Sequence, residues 1–163
     1  MLNNIKFTYL RQPLRPYTFE APKTKKWVED RCKGIVLNLF AGKTILNLDE
    51  IRNDIDNTVI AHYCKDALDF VREWSGKKFD TILLDPPYSY RKGMEKYKGH
   101  YTSKFNLIKE EIPRILNEKG IIITFGYHST FMGKKRGFNL IEICLICHGG
   151  AQHDTIAIIE ERL

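Results

Sequence analysis

The sequence predicts an α/β domain whose mostly parallel sheet ends in a C-terminal antiparallel hairpin, and three observations carry that prediction. Runs of apolar and β-branched residues recur along the chain, separated by stretches at helical spacing, as in strands buried on both faces with helices laid across them. Two such runs, Leu140–Ile146 and Thr155–Ile159, have no helical stretch between them. The third observation is Thr81-Ile82-Leu83-Leu84-Asp85-Pro86-Pro87-Tyr88, a buried strand that stops abruptly because neither proline can donate to a sheet ladder. That stop delivers Asp85 and Tyr88 to the carboxyl edge, where open α/β sheets bind their ligands.

At 163 residues, 43% hydrophobic and 28% charged, the chain fits one domain with a real core. No apolar run approaches a membrane span. Polar Asn3, Asn4 and Lys6 stand where a secretory signal would be apolar, so a cytoplasmic protein with four reduced cysteines is expected. The net charge of +6 is compatible with a polyanionic partner.

Taken in order, residues 1–21 read as an irregular arm: Pro13 and Pro16 interrupt it, Tyr9, Tyr17 and Phe19 are interleaved, and it is placed to drape over a cleft. Pro22 to Cys32 reads as a helix, with Pro22 in its first turn and Gly34 as its stop. Ile35–Phe40 is a buried strand running into Ala41-Gly42-Lys43-Thr44, a glycine turn where backbone can approach a ligand closely. Those last residues imitate a phosphate-binding loop, but Leu37 occupies the position of its first glycine, which excludes that motif.

Glu50–Asp56 alternates as a second strand with acids at its end, and Asp49, Glu50, Asp54 and Asp56 all compete to accept hydrogen bonds from a ribose diol there. Only about eight residues separate Gly42 from Ile51, fewer than a helical crossover needs, so either the first crossover is shortened to a single turn or the second strand is misplaced. Val59–Cys64 reads as a third strand. Asp66 then caps a helix built on Ala67, Leu68, Phe70, Val71 and Trp74, a role worth about 1 kcal/mol, and the same carboxylate is placed to meet a purine amino group.

After Tyr88 come Tyr90, Arg91, Lys92, Lys96 and Lys98, cations interleaved with rings as on a nucleic-acid surface. Leu107–Leu116 returns to helical spacing, with Pro113 predicting a kink or break. Gly120 opens a strand, Ile121–Phe125, and Lys134, Lys135 and Arg136 form a second basic cluster before the final hairpin. Cys144, Cys147, His148 and His153 invite a metal reading, but residues three apart on a strand point to opposite faces, so no metal is expected.

With Asn38-Leu39-Phe40-Ala41-Gly42 after the first strand and Asp85-Pro86-Pro87-Tyr88 after the fourth, the chain resembles the S-adenosylmethionine-dependent amino-methyltransferases of nucleic acids, over about residues 22–163. The resemblance implies a Rossmann-like methyltransferase fold and S-adenosyl-L-methionine as cofactor; members of that family with a DNA sequence preference usually carry an added recognition region, and the length here leaves room for a single catalytic domain, 1–163, without a separate target-recognition domain. The resemblance also implies a cofactor set of Asn38, Phe40, Ala41, Gly42, Asp54 at the ribose and Asp66 at the adenine amino group, joined by Tyr17 from the arm. Asp85, Pro86, Pro87 and Tyr88 become the catalytic loop. Tyr90, Arg91, Lys92, Lys96, Lys98, Lys134, Lys135 and Arg136 become the substrate surface.

The chemistry is consistent with that assignment. An exocyclic amino nitrogen is a weak nucleophile because its lone pair is delocalised into the ring. Acceptors for its N–H groups favour a tetrahedral nitrogen and stabilise the positive charge that grows on attack. Asp85 and the Pro86 carbonyl, constrained by Pro87, are such acceptors, and Tyr88 is placed to stack on the base. Adenine N6 in DNA is the favoured target. The alternatives are guanine N2 or adenine N6 in RNA, and a non-catalytic nucleic-acid-binding relative of the fold.

Overall fold

The computed structural model describes residues 4–86, 104–150 and 152–163. Its elements are β1 (Lys6–Arg11), α1 (Pro22–Glu29), β2 (Val36–Asn38), β3 (Glu50–Arg52), α2 (Ala67–Glu73), β4 (Phe79–Leu84), α3 (Lys104–Ile115), β5 (Leu116–Gly126), β6 (Phe138–Cys147) and β7 (Thr155–Arg162). They form one seven-stranded sheet in the order β1-β6-β7-β5-β4-β2-β3. β3, β2, β4 and β5 run parallel. β7 is antiparallel to both β5 and β6, which makes the expected C-terminal hairpin.

The central strands have apolar residues on both faces because both faces are covered. On one side Leu37, Ile82, Leu84, Ile122 and Ile158 pack with Phe70 and Val71 of α2 and Ile108, Ile112 and Ile115 of α3. On the other, Val36, Leu83, Ile121, Ile123, Ala157 and Ile159 pack with Trp27 and Val28 of α1. Glu142 of β6 fastens that second layer: its carboxylate accepts from Arg31, from Trp27 Nε1 at 3.1 Å and from Thr8 at 2.7 Å. Burial alone would raise its pKa, but these donors outweigh it and hold the carboxyl below the usual range.

Four elements differ from the sequence expectation. The first 21 residues are not irregular throughout, since β1 pairs in parallel with β6, Lys6 opposite Glu142 through Arg11 opposite Cys147. Val59–Cys64 is not a strand. An isolated parallel bridge, Asn53 to Tyr63, and a few hydrogen bonds to Arg52 and Asp54 hold it beside the end of β3 without forming a ladder. Ile60 is 76% exposed there, so the segment lacks the covered second face that its apolar residues seemed to promise. Pro113 does not break α3: it sits in the last turn, and Arg162 takes up the Pro113 and Leu116 carbonyls. β5 begins at Leu116 rather than Gly120, through a register irregularity against β4.

The crossover from β2 to β3 contains no helix, as its length predicted. Cys144 is buried beneath α1, whereas Cys147, three residues on, stands beside Arg11 on the opposite face. Among the described residues no helix is long and apolar enough to cross a membrane.

Candidate functional site

A cavity of about 770 Å³ opens at the carboxyl edge of the parallel strands. Its walls are the segments that follow five strands: Leu14–Phe19 after β1, Leu39–Thr44 after β2, Asn53–Asp56 with Val59 after β3, Asp85–Pro86 after β4 and Tyr127 after β5. Asp66 and Ala67, at the start of α2, close another side. The cavity is therefore a product of strand direction. Parallel strands all release their chains at one edge, and a ligand there meets loops instead of paired backbone.

The glycine turn is the most closely organised part. Gly42 adopts φ +57, a left-handed conformation that costs other residues roughly 1–2 kcal/mol. Its N–H donates to Asp54 Oδ2 at 2.8 Å, and Asp54 Oδ1 accepts from the Asp56 N–H at 3.0 Å. No crossover helix braces the turn; Arg52 of β3 does so instead. Its guanidinium donates to the carbonyls of Gly42 at 2.7 Å, Thr44 at 2.9 Å and Ile60 at 2.9 Å. It also pairs at 2.6 Å with Glu50, and the two side chains are 4% and 3% exposed.

Glu50 in turn accepts from Asn38 Nδ2 at 2.9 Å and from the Leu46 N–H at 3.1 Å. The whole loop thus hangs from one buried ion pair. Neither partner stood out in the sequence, where Glu50-Ile51-Arg52 reads as an ordinary alternating strand.

The predicted cofactor residues divide by position. Tyr17, Phe40, Ala41, Gly42, Asp54 and Asp66 all line the cavity. Asn38 does not; it is fully buried behind the turn, where it orients Glu50. Asp66 caps α2 through the Leu68 N–H at 3.0 Å, and its second oxygen meets Lys104 at 3.3 Å. Tyr17 lies over the turn, with Lys43 Nζ 5.7 Å from its ring centre. Asn53, missed by the sequence reading, spans the wall: its amide donates to the Leu39 and Lys65 carbonyls, and its buried Oδ1 has no hydrogen-bond partner. Because carbonyls only accept, those two bonds fix which end is the oxygen.

Asp85 and Pro86 stand on the cavity wall at the end of β4. Pro87, Tyr88, Tyr90, Arg91, Lys92, Lys96 and Lys98 lie outside the described residues. Lys134, Lys135 and Arg136 form a short turn that is not part of the wall. The preceding loop is held by Glu160, which accepts from the N–H groups of Phe131, Met132 and Gly133, and Arg136 pairs with Glu110 at 2.7 Å.

No protein-family model matches the chain, and no curated protein matches it. Solved structures do. TrmN from Thermus thermophilus aligns with a TM-score of 0.60 at 16% identity, over 88% of this chain and 49% of its own, so the chain spans about half the length of that protein. HI0767 from Haemophilus influenzae aligns at 0.55 and 15% identity over 85% of each chain. The N-methyltransferase NodS from Bradyrhizobium japonicum WM9 aligns at 0.55 and 11% identity, over 91% of this chain and 99% of its own. The fold shared with these structures is the Rossmann-like methyltransferase fold; in this chain the first crossover is helix-free and β1 forms one edge of the sheet.

Proposed function

We propose that residues 1–163 work as one catalytic domain that transfers a methyl group from S-adenosylmethionine to an exocyclic amino group of a nucleic-acid base, adenine N6 in DNA foremost. The observation that carries this is the single cavity wall that joins the glycine turn, Asp54, Asp66 and the Asp85-Pro86 pair at one sheet edge. The likeness to NodS, an N-methyltransferase by name, supports nitrogen as the acceptor.

The residues present fit the cofactor. A volume of about 770 Å³ is within the range that holds a nucleoside-sized ligand. The left-handed Gly42 leaves the turn without a Cβ, and Asp54 presents a carboxylate to a ribose diol. When bound, S-adenosylmethionine supplies a methyl carbon made electrophilic by its sulfonium.

Asp85 and the Pro86 carbonyl accept the N–H groups of the target amine, localise the nitrogen lone pair, and hold the positive charge that develops on it. The proton then leaves along the Asp85 hydrogen bond. Tyr88 stacks on the extruded base, a contact worth roughly 1–3 kcal/mol.

The experiment is transfer of labelled methyl groups to DNA and to RNA, followed by nucleoside identification. N6-methyladenine from DNA is expected, with Asp85→Asn about a hundredfold slower. Label appearing only in RNA moves the substrate to the alternative, guanine N2 or adenine N6. Full activity of Asp85→Ala contradicts the mechanism.

A further inference from the structure

β1 lies at one extreme of the sheet, and its side chains alternate between two faces. Thr8 and Lys6 reach Glu142, and Leu10 packs in the core beneath α1. Phe7, Tyr9 and Arg11 therefore point to the opposite face, where Phe7 is 65% and Tyr9 56% exposed. In register beside them on β6 stand Ile143, Leu145 and Cys147. The result is a stripe of two open rings on an aliphatic floor, ending in a guanidinium.

The stripe points toward the site. β1 runs parallel to β6, and β6 shares the direction of β5 and β4, so Arg11 lies at the carboxyl edge. From Arg11 the chain passes through Gln12 and Pro13 directly into Leu14–Tyr17 on the cavity wall.

Resting on the proposed nucleic-acid methyl transfer, we propose that this β1–β6 face holds the unpaired strand flanking the target base, with Phe7 and Tyr9 stacking on bases and Arg11 meeting a phosphate. The two rings are about 7 Å apart along the strand, so each takes its own base. Arg11 ends the stripe and supplies its cation, while Asp154 is an acid close enough to Tyr9 to act against it. The net charge of +6 favours a polyanion over the chain itself.

The test is fluorescence anisotropy of the full chain with a fluorescein-labelled single-stranded DNA oligonucleotide and its RNA counterpart, alongside sedimentation and methyl transfer. Phe7→Ala and Tyr9→Ala are each expected to weaken binding about tenfold. The ring-keeping pair Phe7→Tyr and Tyr9→Phe is expected to bind as wild type, and Arg11→Gln to lower the salt slope by about one. The inference is overturned if wild type binds neither oligonucleotide. It is also overturned if the double alanine variant binds unchanged, or if wild type is a dimer that those substitutions dissociate. Unchanged binding with intact methyl transfer would remove this face while leaving the enzymatic reading. Ring-dependent binding without any transfer would do the reverse.

Discussion

Replacing Arg52 with methionine tests how the glycine turn is held. The substitution keeps most of the side-chain volume and removes only the guanidinium. Glu50 would then keep its charge at 3% side-chain exposure with no cation beside it, and the Gly42, Thr44 and Ile60 carbonyls would each lose a donor. Breaking a buried pair by deleting one partner costs about 3–5 kcal/mol, and stranded acceptors add to this without summing fully. Taking about 4 kcal/mol, a chain of this size should melt roughly 8–16 °C lower.

Glu50→Gln combined with Arg52→Met removes the stranded charge and should recover part of the loss. Thermal circular dichroism gives the stability, and calorimetry with S-adenosylhomocysteine gives the site. Arg52→Met should lose affinity well beyond what a comparably destabilised variant remote from the turn loses. Melting within a few degrees of wild type, with affinity intact, would refute the view that this ion pair builds the loop.

Other outcomes follow from buried groups. Because Glu142 has a depressed folded pKa, its contribution is complete above the unfolded value of about 4.3 and is lost as pH falls through the folded one. The stability gap between wild type and Glu142→Gln in urea should therefore be full near pH 6 and close in acid; a gap independent of pH would contradict the assignment. Burial pushes the Cys32 thiol up to about 12, with Glu50 and Glu29 adding to it, and burial with Glu142 does the same for Cys144. Iodoacetamide on the native protein should modify exposed Cys64 well before either of them, read by peptide mass spectrometry. Comparable rates would show that those cores open readily.

Periodicity was enough to place β2, β4, α2 and the final hairpin, because apolar runs of those lengths have one stable arrangement, buried on both faces. It failed at Val59–Cys64, where the same apolar composition lies at an exposed edge, and at β1, whose Pro13 and Pro16 drew attention away from the alternating Phe7-Thr8-Tyr9 before them. The site divides similarly. Gly42, Asp54, Asp66 and Asp85 could be placed on the cavity wall because a turn or a strand end isolates each of them in the sequence. Arg52 and Asn53 were not, since their roles depend on carbonyls brought back from Ala41–Thr44, Ile60 and Lys65 by the chain's return. Asn38 was drawn into the cofactor set by its place in the motif, whereas its side chain faces Glu50.

Direct titration of S-adenosylhomocysteine into the full chain examines the heart of the matter: whether the loops after β2, β3 and β4 enclose the methyl donor. One equivalent should bind with measurable heat, and Asp54→Ala should weaken it severalfold or more without unfolding the protein. No heat at any attainable concentration, from a chain that melts cooperatively, would leave a Rossmann-like domain that carries no methyl group.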